Sequence, residues 1–295
     1  MLALLAALNV YAGQQPIVLD QAAHSPITLK KPAKKLITLA PHLTELVFDS
    51  GAGERLIATV EFSDYPAAAA LVPRIGNAFQ VDLERVVAMQ PDLVIGWHTG
   101  NPEGLLAQLE KLGLTVWRTQ INQLSDIAGL VEDIGRATGQ SASARRAANR
   151  IRAAAGVLAD EHLKSSPVSY FYQVSERPLY TINGRHLIST ALALCGGKNV
   201  FAGLDSLAPS VSREAVIAAQ PQVIFAPASD SLGGGLAHWL HWPQMEAVSR
   251  GNLFYLEADQ ISRATGRMLD ALAQACHYLG RARQQDSKFS EVLND

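Results

Sequence analysis

The chain contains the stretch Asp82-Leu-Glu-Arg-Val-Val-Ala-Met-Gln-Pro-Asp-Leu-Val-Ile95 and, 130 positions later, a near copy, Ser212-Arg-Glu-Ala-Val-Ile-Ala-Ala-Gln-Pro-Gln-Val-Ile-Phe225. Each copy starts with a residue that favours a helix N-cap, carries a Glu in the first turn, and ends its helical pattern at Gln-Pro. A run of Val, Ile and Leu follows, which is typical of a buried strand. The pattern predicts a duplicated helix-then-strand unit and therefore two similar lobes.

The rest of the chain repeats this alternation of strands and helices. In the first predicted lobe, residues 30–140, strands are expected at 36–39, 56–60 and 115–118, and helices at 44–50, 103–112 and 125–138. The second lobe, residues 165–286, has predicted strands at 168–174 and 253–256 and helices at 186–194 and 265–283, before a polar tail at 287–295. Such alternation predicts an α/β fold in which helices flank central parallel sheets.

Residues 141–164 differ from both lobes in composition. They are rich in Ala and Arg and contain no Pro and few large hydrophobic residues, so they predict one long helix. Its place between the repeats favours a stiff bridge that joins the lobes. A surface helix of the first lobe is the alternative.

Composition limits the function. Lys and Arg number 25 against 27 Asp and Glu, which argues against nucleic acid as a partner.

The apolar run 2–8, followed by small residues up to Ala12, resembles a signal peptide, although no Lys or Arg precedes it. We therefore expect residues 1–12 to be a signal segment and the chain to be exported.

Two cysteines, Cys195 and Cys276, are present. An even number fits one disulfide in an oxidising compartment, and two buried thiols fit the spacing equally well.

Motifs of nucleotide-binding loops, hydrolase elbows and metalloproteases are absent. His238 and His241 have a metal-like spacing, but no carboxylate or Cys partner lies near them in sequence.

Aromatic residues stand instead at predicted strand ends and loops, where α/β proteins bind ligands. Asp259 and Arg263, just before the last helix, add polar groups. We therefore expect a binding crevice between the lobes. Its candidate aromatic residues are Tyr65, Phe79, Trp97 and Tyr180.

Glu84 and Glu214 occupy equivalent places in the two repeats. A Glu in a first turn stabilises the helix dipole, which is explanation enough for either one. As a pair, one in each lobe, they also fit docking to a partner that presents twofold-related Arg residues.

Several motifs resemble the periplasmic substrate-binding proteins of metal-chelate importers, in particular the cobalamin-binding branch of that family. They span most of residues 35–279. They are Leu36-Ile-Thr-Leu-Ala-Pro-His-Leu-Thr-Glu-Leu46, Ser63-Asp-Tyr-Pro66, Pro91-Asp-Leu-Val-Ile-Gly-Trp97, Cys195-Gly-Gly-Lys-Asn-Val-Phe201 and Val211-Ser-Arg-Glu214.

This resemblance implies two α/β lobes bridged by one helix, a corrinoid carried unaltered in the cleft, and delivery to the permease dimer of an ATP-driven (ABC) transporter. It implies a periplasmic protein, monomeric when free, with no catalytic residues, no resident metal and no cofactor apart from the transported cobalamin. Tyr65, Trp97 and Tyr180 would be cleft aromatics, Asp259 and Arg263 polar contacts, and Glu84 and Glu214 docking carboxylates. Cys195 and Cys276 would form a disulfide.

The chain departs from that branch at two positions, Phe79 and Ala208, where the branch has Trp. We expect a wider pocket there, or one filled by Trp239 and Trp242. His42, expected in the loop after the first strand, is a further candidate contact. A ferric siderophore or haem binder on the same scaffold is the alternative function, and a metal enzyme using His98, His238 and His241 is a more distant one.

Overall fold

A computed structural model describes the backbone of residues 15–162, 165–228 and 235–294, with side chains as far as residue 285. The predicted signal segment lies outside the described residues. In chain order the strands are β1 Ile17–Gln21, β2 His24–Leu29, β3 Leu36–Thr38, β4 Leu56–Ala58, β5 Leu93–Trp97, β6 Val116–Thr119, β7 Val168–Tyr172, β8 Ser175–Glu176, β9 Leu179–Tyr180, β10 Gly197–Asn199, β11 Val223–Ala228 and β12 Leu253–Glu257.

The α-helices are α1 Pro41–Asp49, α2 Leu83–Ala88, α3 Glu103–Lys111, α4 Leu124–Thr138, α5 Ser141–His162, α6 Leu187–Ala193, α7 Arg213–Ala219, α8 Glu246–Ser249, α9 Ala258–Ile261 and α10 Met268–Asn294. Short 3-10 helices cover Gly53–Arg55, Ala67–Leu71 and Leu236–His241. Since α10 is helical to Asn294, residues 287–294 of the predicted polar tail continue this helix.

Each lobe contains a four-stranded parallel sheet, and the two sheets have the same topology. The first sheet has the order β4-β3-β5-β6 and the second has the order β10-β7-β11-β12. In each sheet, the strand that comes second along the chain, β4 or β10, lies at the edge beside the strand that comes first. Helices flank both sheets, which confirms the predicted α/β fold. The shared order confirms the duplication that the repeat indicated.

The repeat itself folds alike in both copies. Asp82 caps α2 by accepting from the Arg85 amide at 3.0 Å, and Ser212 caps α7 by accepting from the Ala215 amide at 3.1 Å. Gln90 and Gln220 follow the ends of α2 and α7, and their φ values of 49° and 43° are left-handed. Each Pro that follows cannot extend a helix, and β5 and β11 begin two residues later.

The long helix α5 contacts both lobes. Small residues bring it close to α4: Gly135 leaves no room for a Cβ because Ala144 of α5 lies against it. Farther along, Ile151 packs within 3.4 Å of the position a Cβ on Gly266 would take, next to α10. The helix thus runs between elements of the first lobe and of the second, as expected for a bridge.

The hydrophobic core is not divided cleanly between the lobes. One cluster includes Leu36 and Ile95 of the first sheet, Ala148 of α5, and Tyr170 and Phe225 of the second sheet. Separate clusters cover the other face of each sheet. The lobes therefore share apolar packing on the side of α5, which limits how far they can move apart.

The hairpin β1–β2 was not predicted. Leu19 is fully buried, the Trp117 indole donates to the Asp20 carbonyl at 2.8 Å, and the Arg118 amide donates to Gln21 Oε1 at 2.8 Å. The first lobe therefore starts at this hairpin and not at residue 30. Cys195, just after α6, and Cys276 of α10 are joined, which confirms the expected disulfide.

Candidate functional site

The candidate site lies where strands of both sheets end. His42 follows β3, Trp97 ends β5, and Asp259 and Arg263 follow β12, so the parallel strands place these side chains at the carboxyl edges of the two sheets. The rings of His42 and Trp97 meet edge to face, with centroids 5.1 Å apart. The two side chains that sequence analysis assigned to separate loops therefore form one wall.

His42 was predicted to lie in a loop, but it lies in helix α1. Helix α1 begins at Pro41, a residue suited to a first helical position, so His42 is in the first turn and is buried. Burial lowers its pKa to about 4, and the positive charge of Arg263 contributes to this lowering. The imidazole is therefore neutral near pH 7 and offers a ring edge and no charge.

Two neighbours determine the position of Trp97. A Cβ on Gly100 would overlap the six-membered ring of Trp97, so only glycine leaves room for this ring orientation. The Trp97 amide donates to Asn101 Oδ1 at 2.7 Å. The indole is thus supported by its own loop.

Asn101 is a positioning residue that sequence analysis missed. Its buried amide nitrogen donates to the carbonyls of Leu39 and Ala78 at 2.8 and 2.7 Å, while its oxygen accepts from Trp97. It therefore ties together the segments that carry His42, Trp97 and Phe79. Phe79 itself follows a turn made by Asn77 and is 73% exposed.

Arg263 lies at a contact between the lobes. Its guanidinium bonds to Asp259 of its own lobe at 3.0 Å, and to Glu45 and Asp64 of the first lobe at 3.0 and 2.9 Å. The side chain of Arg263 is only 11% exposed and that of Glu45 is 2% exposed. Desolvation opposes the charge of Arg263, but the hydrogen bonds to Asp64 and Glu45 outweigh it and raise its pKa.

Glu45 was not predicted as a site residue. Besides Arg263, its carboxylate accepts from the Thr265 hydroxyl at 3.1 Å and pairs with Arg267 at 3.3 Å. The guanidinium of Arg267 also covers the ring of Tyr65, 3.9 Å from its centroid. Tyr65 therefore joins the same contact between the lobes, and its ring remains half-exposed.

Behind Tyr65 and Arg267 lies a cavity of about 200 Å³, lined also by Asp49, Arg150 and Asp270. Burial raises the pKa of Asp49 to about 6, and the negative charge of Glu45 adds to this effect. A larger, mainly apolar cavity of about 400 Å³ lies elsewhere, between α4, α5 and α6.

Tyr180 belongs to the opposite lobe. It ends β9, pairs with Ser210 across a bridge, and remains partly exposed, so Ala208 lies near it on the neighbouring segment. Trp239, one of the two residues considered for the space left at Ala208, presents no surface to a ligand. Trp239 is fully buried in a cluster with Phe171 of the second lobe, and its indole donates to Gln173 at 2.8 Å.

Trp242 packs beside Trp239 and under Arg213, whose guanidinium is 5.7 Å from its ring. Arg213 precedes Glu214, so Trp242 lies near the predicted docking helix. Glu84 and Glu214 are both exposed, each in the first turn after its cap. Their equivalent positions follow from the duplicated topology.

The histidines of the enzyme alternative are dispersed. His98 contacts His24 in the first lobe, and His238 and His241 each bond to a carbonyl of their own 3-10 helix region. Within the described part of the chain, the grouping with metal-ligand spacing is His162 with the disulfide-bonded Cys195 and Cys276. Among the helices that the structure describes, none has both the length and the apolar character that crossing a bilayer requires.

Phe62 is a third residue, after Asn101 and Glu45, that the sequence analysis missed. It adopts a left-handed φ of 64° and is 72% exposed, in the segment between β4 and Tyr65. A bulky residue in this conformation costs energy, and an exposed aromatic ring gains nothing from the solvent. The signal was available in the sequence only as an aromatic residue beside the Ser-Asp-Tyr-Pro motif.

Comparisons with known proteins place these features in context. Residues 36–260 match the family model described as periplasmic binding protein. A vitamin B12-binding protein of Vibrio cholerae is 37% identical over 255 residues, covering 86% of this chain and 92% of that protein. One of Yersinia pestis is 33% identical over 248 residues, covering 84% and 86%.

Solved structures agree. The periplasmic vitamin B12-binding protein BtuF of Vibrio cholerae matches with a TM-score of 0.80 at 37% identity, covering 85% of this chain and 98% of that one. The periplasmic haem-binding protein RhuT of Roseiflexus matches with a TM-score of 0.75, covering 85% and 99%, but at 21% identity. The second likeness concerns the fold alone.

Proposed function

This chain belongs to the periplasmic binding protein family, and we propose that it captures vitamin B12 or a related corrinoid between its lobes and delivers it to an ABC-transporter permease. The family membership confirms the resemblance found in the sequence motifs. The observation that carries the choice of ligand is the 37% identity, across most of both chains, with a vitamin B12-binding protein.

The geometry of the candidate site supports a large amphipathic ligand. His42 and Trp97 supply a neutral aromatic wall, Phe62 and Phe79 leave aromatic surface open to solvent, and Tyr180 lies on the other lobe. Asp259 and Asp64 offer exposed carboxylate oxygens beside Arg263. Aromatic faces cover apolar ring edges, while a few polar groups fix orientation.

The apolar packing shared along α5 supports a largely preformed cleft. Limited lobe movement lowers the conformational cost of binding, because little has to be ordered when the ligand enters. In this proposal the protein works in the periplasm, as a monomer when free, and docks through Glu84 and Glu214 on a permease dimer.

Calorimetric titration with cyanocobalamin, cobinamide, haem and a ferric hydroxamate tests the ligand. We expect a dissociation constant below about 1 µM for the corrinoids and weaker binding of the others. Trp97→Ala should weaken corrinoid binding, whereas Trp242→Ala, which removes an indole beside Arg213, should not. Preferred binding of haem or of the hydroxamate would favour the alternative ligands, and the absence of corrinoid binding would overturn the proposal.

A further inference from the structure

The ion cluster at the contact between the lobes has an excess of negative charge. Three carboxylates, Glu45, Asp64 and Asp259, share two guanidiniums, Arg263 and Arg267. Three negative and two positive charges leave a sum of −1. His42, the neighbouring titratable group on α1, adds no positive charge near pH 7, because burial holds its pKa at about 4.

The charge of Arg263 acts on His42 of the candidate aromatic wall, and both terminal nitrogens of its guanidinium are already engaged. One terminal nitrogen bonds to both Glu45 and Asp64, and the other bonds to Asp259. A ligand carboxylate that paired with both terminal nitrogens of Arg263 would have to displace one of these carboxylates. It would then lie close to the remaining two, where like charges repel.

The second guanidinium, Arg267, is also engaged, although its side chain is 22% exposed. Arg267 pairs with Glu45 at 3.3 Å, and its flat face lies on the Tyr65 ring. On the side of the cavity behind Tyr65, the charged neighbours are Asp49, Arg150 and Asp270, which together add further negative charge. The charged residues around this cavity therefore do not reverse the negative net charge of the ion cluster.

The same arrangement accepts hydrogen bonds readily. The side chains of Asp64 and Asp259 are 56% and 50% exposed, although each gives one oxygen to Arg263. A carboxylate has about four lone-pair sites, so capacity remains on the exposed side. An amide N–H of a ligand can donate a hydrogen bond to these free lone pairs without bringing a negative charge close to the carboxylates.

We propose, as a refinement that rests on the proposed function, that Glu45 and Asp64 occupy Arg263 so that the cleft selects chelates bearing amide groups over chelates bearing carboxylates. The substrate class is then an uncharged polyamide macrocycle. Asp64 is the specificity-determining residue that can be tested most cleanly, because it is exposed and its replacement leaves the Glu45–Arg263 pair in place.

The probes are cyanocobalamin and the cyanocobalamin monocarboxylic acids, in which hydrolysis has turned one propionamide into a propionate. Shape and aromatic surface are nearly unchanged, so the affinity ratio reports charge. We expect the unmodified chain to bind the amide form about 10-fold more tightly than at least one of the acids. Added salt should reduce this ratio, because the carboxylates concerned are partly exposed.

Asp64→Asn should lower the ratio to about 2-fold or less, since it removes one repelling charge and releases part of Arg263. Asp160→Asn on α5 makes the same change in net charge away from the cluster and should leave the ratio unaltered. A melting curve for each variant verifies folding. Glu45→Gln, measured below its melting temperature, should shift the ratio in the same direction.

The outcomes separate the two proposals. If cyanocobalamin binds but every monocarboxylic acid binds as tightly, the charge selection is wrong and the proposed function stands. The same holds if the ratio exists but Asp64→Asn and Glu45→Gln leave it unchanged. If cyanocobalamin does not bind, or haem with its two propionates binds more tightly, both proposals are overturned.

Discussion

The Glu45 carboxylate of the first lobe and the Arg263 guanidinium of the second lobe form an ion pair at 3.0 Å, with both side chains almost removed from solvent. The same carboxylate accepts from Thr265 and Arg267, so one residue of α1 engages three residues that lead into α10. Breaking a buried pair leaves an uncompensated charge, which costs more than the pair contributes.

Glu45→Gln should therefore lower the free energy of unfolding by about 3 kcal/mol, because Arg263 and Arg267 keep their charges without their shared partner. Urea unfolding measures this loss. Glu54→Gln, at an exposed position shortly after α1, is the control and should change stability by less than about 0.5 kcal/mol. Equal effects of the two changes would show that the Glu45 contact contributes nothing beyond an ordinary surface charge.

His42 makes stability depend on pH. Its pKa falls from 6.5 in the unfolded chain to about 4 in the fold, first because of burial and then because of Arg263. Between these values the unfolded chain binds a proton that the native protein does not, so stability decreases as the pH falls. At about pH 4.5 the loss from this group is about 2.5 kcal/mol relative to pH 7.

Urea unfolding at both pH values tests this. His42→Gln should lose less stability than the unmodified chain, by about that amount. His277→Gln, at an exposed position on α10, should behave like the unmodified chain and accounts for other groups that titrate in the same window. Parallel pH profiles for all three proteins would contradict the burial argument.

The sequence was most informative about what is local and repeated. The caps Asp82 and Ser212, the Gln-Pro ends and the apolar strands are each encoded within a single short stretch, and all of them form as expected. The matching strand order of the two sheets follows from the same repeat. The family motifs added the disulfide, which spacing alone had left undecided.

Contacts between distant segments could not be predicted from pattern. Glu45 looked like an ordinary residue of an amphipathic helix, and only the meeting of α1 with the start of α10 reveals its role. Asn101 acts through carbonyls that any residue would supply. Trp239 was considered for the ligand pocket, whereas tertiary packing buries it completely, which the local sequence does not reveal.

Gly100→Ala tests whether the position of Trp97 determines ligand affinity. The added methyl group has to displace the Trp97 ring, which would also break its edge contact with His42. We expect about 10-fold weaker corrinoid binding, which is a cost of about 1.4 kcal/mol, and a changed Trp fluorescence spectrum.

The matched control is Gly104→Ala in α3, on the same stretch of chain as Gly100. No atom lies within 4 Å of the place that its Cβ would take, and a helical Ala is more favourable than Gly, so binding should be unchanged and stability equal or higher. If both variants bind alike, the indole does not contact the ligand in its present orientation.

We expect Phe62 to lower the stability of the fold through its backbone conformation and to increase ligand affinity through its exposed ring. Phe62→Gly and Phe62→Ala both remove the exposed ring, but only glycine adopts the left-handed φ of 64° without strain. The Gly variant should therefore be more stable than the Ala variant by about 1 kcal/mol in urea unfolding. Both should bind corrinoid about 10-fold more weakly if the ring contacts the ligand, and unchanged affinity in both would remove Phe62 from the site.

The docking carboxylates can be separated from the ligand site, because Glu84 and Glu214 are exposed in the first turns of α2 and α7 and take no part in the ion cluster. Glu84→Lys with Glu214→Lys should leave corrinoid affinity within about 2-fold, since no residue of that cluster changes, and should abolish uptake in cells that depend on this chain. Glu161→Lys on α5 alters an exposed charge outside the repeats and should leave uptake intact. Uptake that persists in the double variant would reduce the pair to first-turn residues that stabilise their own helices by about 0.3–1 kcal/mol each.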